Sequence, residues 1–301
     1  MHKGVVLTAL TLMACLPVAA RADVQPAQLY DTGTARDLGM GGAVTAVADD
    51  LCMVLWNPAA AALLEGRRII YSDSFRTTPK SLRFVSYGQS DEGDFTGALS
   101  YLRVDSDTYS TKENTAMYSM GHALSDRLIA GANVKYSRYE RLGGAKEAFN
   151  VDLGLLYGLT DTTALGLAVL NVNEPRIMDE QVITPTYTAP AARAPRLINV
   201  GFAMKLHPQV APGMLGIARR TYRTRVTFDL FDATDEIRRQ LRFGVEHHLD
   251  RRWVARAGLL RSTPTFGLGY RGQGYTLNGA VLVGREGERA TESVASISAD
   301  F

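Results

Sequence analysis

Apolar and polar residues alternate along most of the chain from residue 68 onward. Every second residue from Phe149 to Tyr157 is apolar, and every second residue from Ala295 to Phe301 is apolar as well. Segments of about 8 to 12 residues with this period of two, separated by turn residues, are typical of the strands of a β-barrel. The pattern therefore predicts a sheet with one face suited to lipid and the other suited to a lumen.

We predict an all-β fold, a 14-stranded antiparallel transmembrane β-barrel with an N-terminal hatch that contains short helices. The predicted strands cover roughly residues 68–74, 81–88, 94–105, 115–124, 128–141, 148–159, 163–173, 196–206, 225–233, 241–249, 253–262, 265–272, 275–284 and 293–301. The even count is the one that single-chain bacterial barrels use, and it places both chain ends on the periplasmic side. A soluble β-sandwich or propeller would also alternate and is the competing prediction.

The lengths of the connections test this strand order. The tight connections 125–127, 160–162, 250–252 and 272–274 all follow even-numbered strands, where periplasmic turns are expected. The longer polar connections, around 106–114, 142–147, 174–195, 234–240 and 285–292, fall at extracellular positions. The stretch 207–224 is long where a short turn is expected. Either this turn is elaborated or the count is wrong by one hairpin.

Both ends of the chain indicate export to the bacterial outer membrane. A positive start, an apolar run from Gly4 to Ala19 and the small-residue site Ala20–Ala22 predict a signal peptide over residues 1–22. In the alternative, Cys15 would be the lipidated residue of a lipoprotein. The last strand, which ends in Phe301, is expected to bind the barrel-assembly machinery, and outer-membrane lipid is the expected surrounding.

Charge and composition exclude several classes of function. Removal of the signal peptide takes Lys3 and Arg21 from the 33 basic residues, so 31 remain against 31 acidic residues, and we expect no nucleic-acid partner. Cys52 is then the only cysteine and is expected to be a buried apolar residue. His247 and His248 are neighbours on a strand and cannot chelate one ion together. We expect no cofactor, no metal and no enzymatic activity.

Residues 23–67 form the predicted hatch and residues 68–301 the barrel. The hatch segment does not alternate, and its Ala-rich stretches Ala43–Ala48 and Ala59–Leu64 predict short helices packed inside the barrel. An apolar prelude of about 40 residues before a barrel is most simply a plug of the lumen.

The hatch carries three motifs: TARDLGMGGA at Thr34–Ala43, AVADD at Ala46–Asp50 and WNPA at Trp56–Ala59. With these motifs the chain resembles PorV/PorQ-type outer-membrane proteins, which are relatives of the FadL long-chain fatty-acid channels. The closing hairpins, from Arg242–His247 to Thr265–Tyr270, match the same family. The resemblance implies a 14-stranded outer-membrane barrel with an N-terminal hatch in its lumen.

The candidate site residues all lie in these hatch motifs. They are Gly39, Met40, Gly41, Gly42, Asp49, Asp50, Trp56, Asn57, Pro58 and Ala59. The glycines allow tight turns and close approach, and Asn57 can bond neighbouring backbone before Pro58 restricts the next φ angle. Asp49 and Asp50 are expected to pair with inward arginines such as Arg242 or Arg256. These residues either only hold the plug in place or also gate a ligand path.

Two functions remain open at this point. In the first, the barrel is a FadL-like passage for hydrophobic small molecules, with inward apolar residues on strands such as 163–173. In the second, it is a PorV-like carrier or scaffold that binds secreted proteins in an export pathway such as type IX secretion, through the apolar, Pro-bearing loop Ile183–Pro195. A barrel that only anchors other envelope proteins is a third outcome.

Overall fold

The computed structural model describes residues 33–76, 80–90, 96–106, 111–141, 144–184, 187–189, 191–211, 219–232, 241–284 and 291–301. The predicted signal peptide and Cys15 lie outside the described residues. Strands dominate the described chain. They are β1 Arg67–Arg76, β2 Lys80–Ser90, β3 Thr96–Ser106, β4 Thr111–Ser125, β5 Leu128–Arg141, β6 Gly144–Gly158, β7 Thr163–Leu170, β8 Arg176–Met178, β9 Gln181–Thr184, β10 Tyr187–Ala189, β11 Ala192–Arg193, β12 Leu197–Ala211, β13 Arg219–Leu230, β14 Leu241–His248, β15 Trp253–Leu260, β16 Thr263–Arg271, β17 Tyr275–Leu282 and β18 Glu292–Asp300.

Fourteen of these strands close into one antiparallel barrel. Each strand pairs with its neighbour in the chain, β7 pairs with β12, and β1 pairs with β18 to close the ring. The short strands β8 to β11 lie in the connection between β7 and β12, where β8 pairs with β11 and β9 pairs with β10. The predicted fold class is confirmed, and closure removes the exposed edges that an open sheet would present.

The barrel has two rims, which differ in their connections. We call the rim with the chain end Phe301 and the turns 126–127, 159–162, 249–252 and 272–274 the turn rim, and the opposite one the loop rim. The predicted long connections 106–114 and 142–147 are wrong, because β3 to β6 continue until only residues 107–110 and 142–143 separate them. β4, β5 and β6 exceed the roughly 9 to 11 residues that a membrane-spanning strand needs, so the asymmetry lies partly in strand length.

The stretch 207–224 is explained by the same effect at the turn rim. β12 continues to Ala211 and β13 begins at Arg219, and the two strands stay in register from Val200↔Leu230 to Ala211↔Arg219. The hairpin therefore extends past its neighbours, and no strand was miscounted. Local alternation is weak there because Pro208 and Pro212 interrupt the pattern.

The two faces of the barrel wall have different chemistry. The outward face exposes large apolar side chains on strands all around the ring, among them Leu99, Phe149, Val200, Phe228, Phe266 and Ile297. Tyrosines on adjacent strands, such as Tyr71, Tyr87, Tyr101, Tyr118 and Tyr136, add aromatic surface. The inward positions are buried and mix apolar residues with serines, asparagines and a few charged groups. An apolar outer face with aromatic residues is the surface that lipid requires.

Residues 33–66 fill the lumen as a hatch. It contains one helix, Ala35–Gly39, and two 3-10 helices, Leu51–Leu55 and Pro58–Leu63. Within the described part of the chain, no helix has both the length and the hydropathy to cross a membrane. The helix predicted at Ala43–Ala48 is wrong: this stretch forms turns and irregular backbone, and the Thr45 N–H donates to Asp229 of the wall while its carbonyl accepts from Asn57. The prediction at Ala59–Leu64 nearly coincides with the second 3-10 helix.

Candidate functional site

The glycines of the first motif lie directly against β14 and β15. Gly41 has a φ of +63°, and a Cβ there would lie 2.6 Å from the carbonyl oxygen of Phe243. Gly42 has a φ of +69°, and its Cβ would lie 2.8 Å from a guanidinium nitrogen of Arg242. Both the left-handed backbone and the close approach exclude a side chain at these two positions.

The barrel wall also carries glycines where it faces the hatch. A Cβ on any of these would lie within 3.0 Å of a hatch atom. They are Gly88, Gly121, Gly131, Gly154, Gly166, Gly201, Gly244, Gly258 and Gly267, on β2, β4, β5, β6, β7, β12, β14, β15 and β16. Because these glycines surround the hatch, its backbone packs against the wall around most of the ring. Interiors packed at this density do not accept added volume without strain.

Asn57 ties the second half of the hatch to β6. Its Nδ2 donates to the carbonyl oxygens of Thr45, at 2.8 Å, and Leu155, at 3.0 Å. Its Oδ1 accepts a bond of 3.1 Å from the backbone N–H of Ala59, which caps the 3-10 helix that Pro58 opens. Asn57 is fully buried, and its bonds to Thr45 and Ala59 are buried as well. The motif therefore links two parts of the hatch to each other and to the wall.

Trp56 and Asp37 join the two ends of the hatch. The Trp56 indole N–H donates to Asp37 Oδ2, and Asp37 Oδ1 accepts from the Thr34 hydroxyl at 3.0 Å and from the Leu38 backbone N–H at 2.9 Å. Burial raises the pKa of Asp37 to about 6, against the opposing effect of these hydrogen bonds. The carboxyl group is thus held in place, but its charged form is disfavoured.

A cluster of buried charges holds the first helix of the hatch. Arg36 makes two bonds of 2.9 Å to the Glu246 carboxylate of β14. Glu246 also accepts from Arg225 at 3.2 Å and from Arg256 at 2.8 Å. One buried carboxylate therefore serves three guanidinium groups, and the fork of Arg36 gives the pair a defined geometry.

Asp49 and Asp50 belong to this cluster, but not with the partners that we expected. Arg36 Nη1 lies 3.0 Å from Asp49 Oδ1 and 3.2 Å from Asp50 Oδ2. Arg225 contacts Asp49, and Arg68 Nη1 lies 3.6 Å from Asp50 Oδ1.

The expected partners, Arg242 and Arg256, have other roles. Arg256 bonds Glu246 and Asn278, and the Arg242 guanidinium lies 3.6 Å from the ring centre of Phe231 and 5.2 Å from that of Trp56. The predicted ion pairs were wrong because Arg36 pairs with both aspartates and Arg225 pairs with Asp49.

A second polar cluster lies beside β5 and β6. Asn133 donates to the hatch carbonyl of Val54 at 2.9 Å and to Asp152 at 3.1 Å. Lys135 pairs with Asp152 at 2.7 Å, and Asp152 also accepts from the backbone N–H of Asn171. Asn171 in turn donates to the carbonyl of Pro195 at 2.8 Å. A buried polar network thus connects the hatch to the long connection between β7 and β12.

An apolar surface of the barrel wall faces the hatch. Hatch residues such as Val44, Met53 and Trp56 share one buried apolar cluster with it. The wall contributes Ile70, Leu82, Phe84, Ala98, Leu102, Val104, Met117, Ala168, Leu170, Leu197, Ala203 and Phe231. We call these wall residues the apolar column. Leu82, Val104, Leu170 and Leu197 lie at or near the loop-rim ends of their strands, so the column extends toward the loop rim.

The structure places the ten candidate residues in one hatch, where they contact two different parts of the barrel wall. Gly39 to Gly42 contact β14, β15 and β16, whereas Asn57 to Ala59 contact β5 and β6, on another part of the ring. Sequence analysis missed the partners of these residues, above all Glu246, Arg225 and Asp229, whose carboxylate accepts from the Thr45 backbone N–H at 2.7 Å. Each of them is a charged residue at an inward position of a predicted strand, and this feature could have indicated a contact with the hatch.

No protein-family profile and no curated protein matches the chain. Solved structures are similar to it: the Pseudomonas putida toluene transporter TodX (TM-score 0.62, 14% identity, covering 91% of this chain and 99% of that one), the Ralstonia pickettii toluene transporter TbuX (0.59, 13%, 91% and 99%) and a Pseudomonas aeruginosa FadL homologue (0.58, 13%, 90% and 98%). At this identity the similarity establishes the fold. The chain therefore has the barrel fold of FadL-type channels.

Proposed function

We propose that the chain is an outer-membrane channel that passes hydrophobic small molecules, with residues 33–66 as the hatch in its lumen. The observation that carries the proposal is the apolar column. A water-filled porin lines its lumen with polar side chains, whereas here apolar residues continue from the hatch toward the loop rim. A lining of this kind favours an apolar solute over water or a sugar.

The outer surface and the fold support the same proposal. The outward face carries exposed apolar and aromatic side chains on strands around the ring, as expected for a barrel that lipid surrounds. TodX and TbuX, which share the fold, are toluene transporters by name. Fold likeness is an analogy and does not identify the solute. We propose a hydrophobic cargo and leave its chemical identity to experiment.

We propose that the ten candidate residues hold the hatch and that passage requires it to loosen. The hatch is anchored by the charge cluster on one side and by Asn57 on the other, with wall glycines between. Its removal from the lumen as one body would break both sets of contacts at once. A partial opening at one side costs less free energy and is the opening that we propose.

The narrower assignment to PorV/PorQ-type proteins is also a proposal and rests on the motifs Thr34–Ala43 and Trp56–Ala59. The carrier function gains no support from the loop Ile183–Pro195. Most of its side chains lie outside the described residues, and Ala192 and Ala194 are buried against Tyr139 and Ile177 instead of exposed. For assembly we propose that the exposed ring of Phe301 is the contact for the barrel-assembly machinery.

Uptake of two hydrophobic probes tests the proposed function. Cells that lack other channels for such compounds would express the protein, and initial uptake of radiolabelled toluene and oleate would be compared with a vector control. Leu102→Gln places a polar side chain in the apolar column, and Lys112→Gln is the matched control at an exposed position. We expect uptake above the vector, lowered several-fold by Leu102→Gln only. Uptake equal to the vector for both probes would overturn the proposal.

A further inference from the structure

The chain contains no acidic residue between Glu180 and Asp229. The same stretch carries Lys205, Arg219, Arg220, Arg223 and Arg225 near its end. In the fold these basic residues lie on β12 and β13, at the hairpin that extends past the turn rim. A hydrophobic passage does not require this charge pattern, so the turn rim has a property that the proposed function leaves unexplained.

A cavity of about 660 Å³ lies at this rim, in the mouth of the lumen below the hatch. Lys205, Arg223 and Arg271 line it from the wall, Arg251 lines it from the turn after β14, and Asp49 of the hatch lies at its inner end. We call this cavity the vestibule. Its size lies within the usual range of small-molecule sites, roughly 300 to 1,000 Å³.

The carboxylates of the vestibule are already engaged by other groups. Asp49 pairs with Arg36 and Arg225. Glu246 pairs with the same two arginines and with Arg256. Asp250 accepts the backbone N–H groups of Arg252 and Trp253, each at 2.7 Å, within its turn. Asp250 keeps its negative charge but forms no ion pair among the described residues, so one carboxylate is left to balance the four other cations of the vestibule.

The remaining cations make no ion pair within the described residues. No described carboxylate lies within 4.0 Å of the charged groups of Lys205, Arg223, Arg251 or Arg271. Lys205 instead lies 5.8 Å from the ring centre of Tyr222, which is also part of the lining. A concave surface of one charge sign concentrates its electrostatic potential and attracts counter-ions.

We propose that the vestibule is a binding site for an organic anion that carries a carboxylate or phosphate group. The four unpaired cations supply the charge, their donors match the oxygens of such a group, and Tyr222 and Leu249 supply an apolar side for the rest of the molecule. The anion comes either from solution, as a free solute, or from the headgroup of a phospholipid at the turn rim. Both sources present the same chemistry to the site.

Binding to the purified full-length barrel in a non-ionic detergent tests the site by titration calorimetry. The probes are benzoate, inorganic phosphate, dihexanoyl phosphatidylglycerol and dihexanoyl phosphatidylcholine. We expect saturable binding of an anionic probe that weakens as salt is added. If phosphatidylglycerol binds at least tenfold more tightly than phosphate and phosphatidylcholine does not bind, the source is a headgroup. If benzoate or phosphate binds as tightly as phosphatidylglycerol, the source is a free anion.

A pair of double variants makes the test specific. Lys205→Gln with Arg271→Gln removes two charges from the vestibule, and Arg67→Gln with Arg127→Gln removes two exposed charges elsewhere on the same rim, outside the vestibule. We expect at least a tenfold loss of affinity in the first and no change in the second. Absence of saturable binding to the wild type, or equal affinity of the two variants, would overturn the proposal. The readout is binding alone, so it is independent of the uptake experiment.

Discussion

The hatch is held in two chemically different ways on two separate parts of the barrel wall. On the side of β13, β14 and β15, the contacts are charged: Arg36 reaches Glu246, and Arg225 reaches Asp49. On the side of β4, β5 and β6, the contacts are neutral: Asn57 bonds backbone carbonyls, and Pro58 packs against wall glycines such as Gly131. We call these the charged anchor and the neutral anchor.

Because the two anchors differ in chemistry, they are expected to respond differently to salt and to charged ligands. Neutral contacts depend on shape and hydrogen bonds and respond little to salt or to a charged ligand. Charged contacts are buried at Glu246 and Arg36 but reach the vestibule through Asp49, whose side chain is 48% exposed. An opening that starts at the charged anchor is therefore the one that solutes in the vestibule can influence.

Cys52 provides a native reporter for both anchors. It is fully buried in the hatch, and it is the only cysteine after Cys15, which lies in the predicted signal peptide. Burial raises the pKa of its thiol well above the usual range, and the nearby carboxylates of Asp50 and Asp37 act in the same direction. Its labelling by a maleimide therefore requires the hatch to open, and the labelling rate measures the open population.

The largest effect is expected from Glu246→Gln, which breaks the charged anchor. The change leaves Arg36, Arg225 and Arg256 without their shared carboxylate. An uncompensated buried charge costs about 3 to 5 kcal/mol, so Cys52 labelling should accelerate a hundredfold or more. The control is Asp300→Asn, which removes the exposed partner of Arg68 and should change the rate by less than about fivefold. Equal rates in the two variants would show that the charge cluster does not hold the hatch.

Asn57→Ala tests the neutral anchor and should have the next largest effect. It removes the donor of the buried Thr45 carbonyl and of the part-buried Leu155 carbonyl, and a buried polar group left unsatisfied costs about 1 to 3 kcal/mol. We expect faster Cys52 labelling and greater leakage of small solutes, from a barrel that stays heat-modifiable on a gel. Asn173→Ala is the matched control, because Asn173 also bonds backbone, but at an exposed position. Unchanged permeability would contradict the role of Asn57 in the hatch.

Gly131→Ala sharpens the comparison by changing shape alone. A Cβ at this position would lie 2.4 Å from the backbone of Pro58. Overpacking of this kind costs about 1 to 3 kcal/mol and should speed Cys52 labelling without an effect of salt. Gly279→Ala is the control, since a Cβ there meets no atom within 4 Å. A salt-dependent effect of Gly131→Ala would mean that the two anchors open together.

The smallest effect is expected from pH, through Asp37. Its pKa of about 6 lies above the usual 3.8 because of burial. Between these values the docked hatch binds more protons than the released one, so docking weakens as the pH rises through this range and stays constant above about 7. Hydrogen exchange of residues 33–66 should therefore slow from pH 7 to pH 5 in the wild type relative to Asp37→Asn. An identical ratio at both pH values would contradict the assignment.

Much of the barrel could be predicted because strand positions follow from local alternation. All fourteen barrel strands were found, and errors were confined to their ends, as at β4, which begins at Thr111 instead of near 115. The strand extensions at the loop rim were not predicted, because polar residues occupy both faces of the strands there and apolar and polar positions no longer alternate. The short strands β8 to β11 were not predicted either, since strands of two to four residues are too short to show a period of two.

The hatch could be predicted only in part. Its motifs indicated the right residues, but the helix expected at Ala43–Ala48 is absent, because Thr45 bonds Asp229 and Asn57 instead of its own neighbours. The partners of Asp49 and Asp50 were also wrong. The helix prediction failed because the wall carboxylate that binds Thr45 lies 184 positions away in the chain. The pairing prediction failed because it overlooked Arg36 and Arg68, which lie close to the aspartates in the chain, as well as the distant Arg225.

The sequence by itself determined the properties that depend on near neighbours: the period of two, the glycines that permit left-handed turns, and the absence of acid between Glu180 and Asp229. Only the tertiary structure decided which groups meet. Closure of the ring brings Glu246 to Arg36 and places Lys205 and Arg271 around one cavity. Such contacts are set by the register of distant strands, because a shift of one residue would turn every side chain of a strand to the opposite face.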